Sequence, residues 1–151
     1  MYKKILICLL IIIAITGCSY NKKVSKITLD NKYYNEGKYI EVKSSDIKGL
    51  NDNNYILYAH NTFCAFKVPC DTIFKKYMTK YKIDFLSINI DEYKKTKFYK
   101  SVKYVPTVII VEKGEIKAYL DAESDDDLNR YQDSKEFEKW INKYVSKNVN
   151  T

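Results

Sequence analysis

An α/β fold, a central mixed sheet with helices on both faces, is what this 151-residue sequence predicts. Three observations lead there. Short apolar runs of strand length alternate with stretches whose apolar residues recur at helical spacing. The two last runs, Thr107-Val108-Ile109-Ile110-Val111 and Glu115-Ile116-Lys117-Ala118-Tyr119-Leu120, flank a turn containing Gly114 and so form a hairpin. The rest of the composition is that of an ordinary globular domain, 46% hydrophobic and 30% charged with four Gly and two Pro.

The N-terminus stands apart from this pattern. Met1-Tyr2-Lys3-Lys4 precedes the apolar run from Ile5 to Ile15, the order and length of a secretory signal peptide. Ile15-Thr16-Gly17-Cys18 resembles the bacterial lipobox, which implies cleavage after Gly17 and a lipid on Cys18. Residues 1–17 are therefore expected to leave, 18–37 to form a polar tether, and 38–147 to fold as one domain; a chain of this length makes one core, not two. The expected location is the outer face of the bacterial cytoplasmic membrane. The net charge of +7 comes from lysines spread along the chain with a single arginine, Arg130, a pattern that argues against nucleic acid and suits weak attraction to anionic lipid.

Within the domain a first strand, Tyr39-Ile40-Glu41-Val42, leads to a short helix through Asp46-Ile47-Lys48 that Ser44 or Ser45 can cap and that ends near Gly49. The run Tyr55-Ile56-Leu57-Tyr58-Ala59, apolar nearly throughout, reads as a strand covered on both faces. Ile73, Phe74, Tyr77, Met78 and Tyr81 mark a helical stripe. A third strand follows from Ile83 to Ile90, then a lysine-rich helix from Tyr93 to Val102, then the hairpin. Asp121 to Asp127 has no apolar period and reads as a solvated loop, while Phe137, Trp140, Ile141, Tyr144 and Val145 define a last helix with Asp133 or Ser134 as its cap. Helical crossovers favour parallel pairing among the earlier strands.

Two cysteines, Cys64 and Cys70, remain once Cys8 leaves with the leader and Cys18 takes the lipid, and two thiols in an oxidising compartment suggest one disulfide. On one unbroken helix they would stand about 9 Å apart along the axis, beyond the roughly 7 Å limit for a bond. Pro69 relieves this if the helix starts there, leaving Ala65 to Val68 as a loop along which Cys64 folds back. Lys67 could favour a thiolate, or be one more solvated lysine.

The element order and three local features resemble the thioredoxin-like superfamily. Tyr58-Ala59-His60-Asn61-Thr62-Phe63-Cys64 resembles the strand end and aromatic residue before the nucleophilic cysteine; Asn89-Ile90-Asp91 resembles the close of the next strand; Val105-Pro106-Thr107, with Glu112-Lys113-Gly114-Glu115 after it, resembles the cis-proline loop and its hairpin turn. The resemblance implies that Cys64 attacks a disulfide, that Cys70 resolves the mixed disulfide, and that Val105 and Pro106 hold the substrate backbone. It implies no cofactor, and exported protein thiols or disulfides as partners. The sequence departs from the family in two places: five residues separate the cysteines where the family has two, and the strand Tyr55 to Ala59 lacks the family's buried carboxylate. Three readings stay open for the pair: redox exchange, a permanent disulfide in a non-catalytic accessory module of the kind linked to bacteriocin export, or Cu(I) binding of the Sco type with His60, the single histidine, as a further ligand. No metal is assigned on the first two.

Overall fold

The computed structural model describes residues 24–61 and 69–147. The leader, Cys18, Cys64 and Lys67 lie outside the described residues. Five strands, β1 (Tyr39–Glu41), β2 (Tyr55–His60), β3 (Phe85–Asn89), β4 (Thr107–Glu112) and β5 (Glu115–Tyr119), form one sheet in the order β1-β3-β2-β4-β5. β3 runs parallel to both β1 and β2, whereas β4 lies antiparallel to β2 and to β5. The sheet is therefore mixed, as expected.

Among the described residues, five α-helices accompany it: α1 (Ser44–Lys48), α2 (Cys70–Tyr81), α3 (Ile90–Tyr93), α4 (Asp125–Gln132) and α5 (Ser134–Ile141). The chain crosses the sheet one way from β1 to β2 and the other way from β2 to β3, so right-handed crossovers put α1 and α2 on opposite faces. α4 and α5 pack with α2, through Phe74 against Tyr131 and Phe137. β2 is the buried centre, with Tyr55 through Tyr58 and Ala59 all covered, which explains its unbroken apolar run.

Four expectations are corrected. Ile27, Leu29 and Tyr33, assigned by sequence to the tether, are buried, and Ile27 pairs with Val145, so the packed unit begins well ahead of Lys38. Lys43, not Ser44 or Ser45, is the residue ahead of α1. The lysine-rich helix is broken: α3 stops at Tyr93, Thr96 Oγ1 bonds back to the Tyr93 carbonyl, and a 3-10 turn takes over at Lys97–Lys100. Its buried apolar residues Tyr93, Phe98 and Val102 are spaced by five and four, which no straight helix keeps on one stripe. Finally, the acidic segment is not a solvated loop, because Asp125, Asp126 and Asp127 form the first turn of α4, where their charge meets the positive end of the helix dipole. Asp127 is buried, accepts the Asp121 N–H and pairs with Arg130.

Candidate active site

β2 carries its chain to the C-terminal edge of the sheet, where His60 pairs in register with Asn89 of β3. When the described chain resumes, Pro69 stands just ahead of α2 and Cys70 is its first residue. Proline suits this place, since its missing N–H would have no helical partner. The helix begins one residue later than the sequence reading put it, and no proline lies inside it. Cys70 thus sits at the positive end of a 12-residue helix, where the dipole and free N–H groups favour a thiolate.

The side chain is 1% exposed, at the floor of a cleft of about 340 Å³ lined by Tyr39, Tyr58, His60, Asn61, Cys70 and Asp71. The Tyr58 hydroxyl lies 3.6 Å from the Cys70 sulfur, a hydrogen bond of ordinary length for sulfur. Among the described residues, three rings pack on Tyr58: Tyr39 at 5.3 Å, Phe74 edge-on at 5.3 Å, and His60 stacked at 5.2 Å. Tyr39 donates its hydroxyl to the Asp71 carbonyl, and its own ionisation is driven up by burial first and then by Asp71 and Cys70. His60 lies flat on Tyr58, and among the described residues no three His, Cys, Asp or Glu side chains gather around a metal-sized space.

The second expected element lies at the same edge. Antiparallel pairing sets Ala59 of β2 against Thr107 of β4, so the chain just before Thr107 passes beside His60. The Val105–Pro106 peptide there is cis, with Val105 half-buried and Pro106 buried. The fold is thioredoxin-like. Over 74% of this chain and 99% of the other, the structure superposes on a thioredoxin from Schistosoma mansoni with a TM-score of 0.52 and 24% identity. A variant thioredoxin from Halobacterium salinarum gives a TM-score of 0.51 at 16% identity, with 74% and 95% of the two chains covered. No family model matches the sequence, and no curated protein matches it.

The Val105–Pro106 loop and α2 are held together by a residue that sequence reasoning passed over. The Tyr131 hydroxyl on α4 lies 2.9 Å from the Pro106 carbonyl and 3.0 Å from that of Leu120, while its ring meets Phe74 one turn along α2 from Cys70. Thr107 Oγ1 donates to the same Leu120 carbonyl at 2.6 Å. The cis-proline loop and the cysteine helix are thus buttressed through one tyrosine. Tyr58 was also missed as a site residue, although its place two residues before the strand end was the available signal.

Proposed function

We propose that the protein is an extracytoplasmic, lipid-anchored thiol-disulfide oxidoreductase acting on exported proteins. The observation that carries this reading is Cys70, buried at the first position of α2 in an aromatic cleft, in a fold whose β4 is entered through a cis Val105–Pro106 peptide. In the reaction, the Cys64 thiolate attacks one sulfur of a substrate disulfide, forming a mixed disulfide and expelling the other substrate sulfur as thiolate. Cys70 loses its proton and attacks Cys64, closing the Cys64–Cys70 bond and releasing the second substrate sulfur. Two electrons pass from the dithiol to the substrate, and the reverse sequence oxidises substrate thiols. Val105 and Pro106 hold the substrate backbone during exchange.

Export through residues 1–17 and lipid on Cys18 belong to the same proposal. Lys48, Lys94, Lys95, Lys97 and Lys100, which line a groove of about 500 Å³ by α1, support weak attachment to anionic lipid.

The test is trapping in an exporting bacterial host. The Cys70→Ser chain should accumulate mixed disulfides that reductant releases and that a further Cys64→Ser change abolishes. Absence of adducts, with a bridge in the parent that resists reductant, would instead establish the permanent disulfide of an accessory module.

A further inference from the structure

We propose that the Tyr58 phenol is the hydrogen-bond donor that sets the acidity of Cys70, doing by a neutral hydroxyl what β2 has no carboxylate to do. The catalytic consequence rests on the redox reading above; the effect on acidity does not. Cys70 is buried, so its thiolate is disfavoured by desolvation and needs donors to form at neutral pH. The helix start supplies one contribution. The Tyr58 hydroxyl, 3.6 Å from the sulfur and itself within a residue only 7% exposed, supplies a directed one.

Among the described residues, the groups around this sulfur divide by role. From β1, Tyr39 commits its hydroxyl hydrogen to the Asp71 carbonyl. From α2, the Asp71 carboxylate is turned to Lys75, 3.8 Å away, whose ammonium lies over the Tyr39 ring. From β2, His60 presents the face of its ring to Tyr58. Tyr58 is packed on three sides by Tyr39, His60 and Phe74, so its hydroxyl is aimed by aromatic contacts rather than by chance of rotamer. During resolution Cys70 releases its proton to solvent in the cleft, Tyr58 keeps its own and donates a hydrogen bond to the anion, and the freed electron pair attacks Cys64. In the opposite direction the same bond stabilises Cys70 as the leaving thiolate. A hydrogen bond to a buried charge is worth a shift of about one pH unit.

The experiment follows the ionisation of Cys70 by its ¹³Cβ chemical shift in the full chain bearing Cys64→Ser, so that no exchange partner is present. Tyr58→Phe, which keeps the ring, should raise the Cys70 midpoint by about one pH unit; an unchanged midpoint overturns the proposal. A second reading needs no change at Tyr58: in the same Cys64→Ser chain its ¹³Cζ resonance should titrate with the Cys70 midpoint and lose that step in Cys70→Ala. A Tyr58 signal blind to Cys70 overturns it equally. Both readings are independent of trapping, so a chain that fails to exchange disulfides can still show the Tyr58 effect, and the reverse.

Discussion

Asp84 shows what a single side chain does outside the site. One of its carboxylate oxygens accepts the N–H groups of Glu36, Gly37 and Lys38 at 3.2, 2.7 and 2.9 Å, fastening the entry to β1 against the start of β3. Its removal strands three backbone donors that it gathers on one oxygen. Asp84→Ala should cost about 2 kcal/mol in urea unfolding, more than an exposed carboxylate change would. Gly37 beside it adopts φ of +78°, and a Cβ there would fall 2.4 Å from the Met78 carbonyl, so Gly37→Ala should destabilise by a comparable amount in the same assay. Neither role was legible in sequence, where Asp84 sat inside an expected strand and its partners lie more than forty residues back. Local patterns carry period and punctuation; they do not carry which backbone amides a distant carboxylate will meet. Tyr58 stood near a strand end that the sequence could place, but its contact with Cys70, twelve residues on, could not be read from it.

At the scale of elements, local chemistry was legible wherever a period or a cap existed. Asp133 was readable as a cap, and its carboxylate accepts the N–H groups of Lys135 and Glu136 at the start of α5. Asp133→Ala should lower stability by about 1 kcal/mol, seen as a lower thermal midpoint. The α4 helix escaped because Asp127 and Tyr131 are its buried residues, too few apolar positions to register as a stripe. Between α1 and α3 the tie is electrostatic: Glu92 accepts from the Ser44 N–H and hydroxyl and pairs with Lys95. Lys95 first, then Ser44, hold the Glu92 carboxyl down to about 2 against an ordinary 4.5. A carboxylate with a lowered folded pKa contributes stability above its unfolded value and loses it as pH falls toward the folded one. The parent should therefore lose thermal stability more steeply than Glu92→Gln between about pH 4.5 and 2, as read by circular dichroism; parallel curves would contradict this tie.

For the whole molecule, the succession of elements and the hairpin were legible because each rests on local residues, apolar runs and Gly114 in its turn, whereas the cis form of the Val105–Pro106 peptide was an expectation of the family resemblance alone. Parallel pairing of β1, β3 and β2 follows from their crossovers, while the antiparallel placement of β4 against β2 is a matter of where the chain returns. The domain's true beginning was not legible, since Ile27 and Leu29 stand among polar neighbours and gain their meaning from Val145 at the other end of the chain. What the assembled fold creates is one edge at which the cysteine helix, an aromatic cleft and the proline loop meet, braced by Tyr131. The account stands on Cys64 and Cys70 forming a bond that opens and closes. The direct measurement is equilibration of the full chain in graded mixtures of oxidised and reduced thiol, with mass-shift alkylation of the two sulfurs. The account predicts a single reversible two-electron transition in which both become alkylated together; cysteines that stay alkylatable in every mixture, or a bridge that none of the mixtures opens, would contradict it.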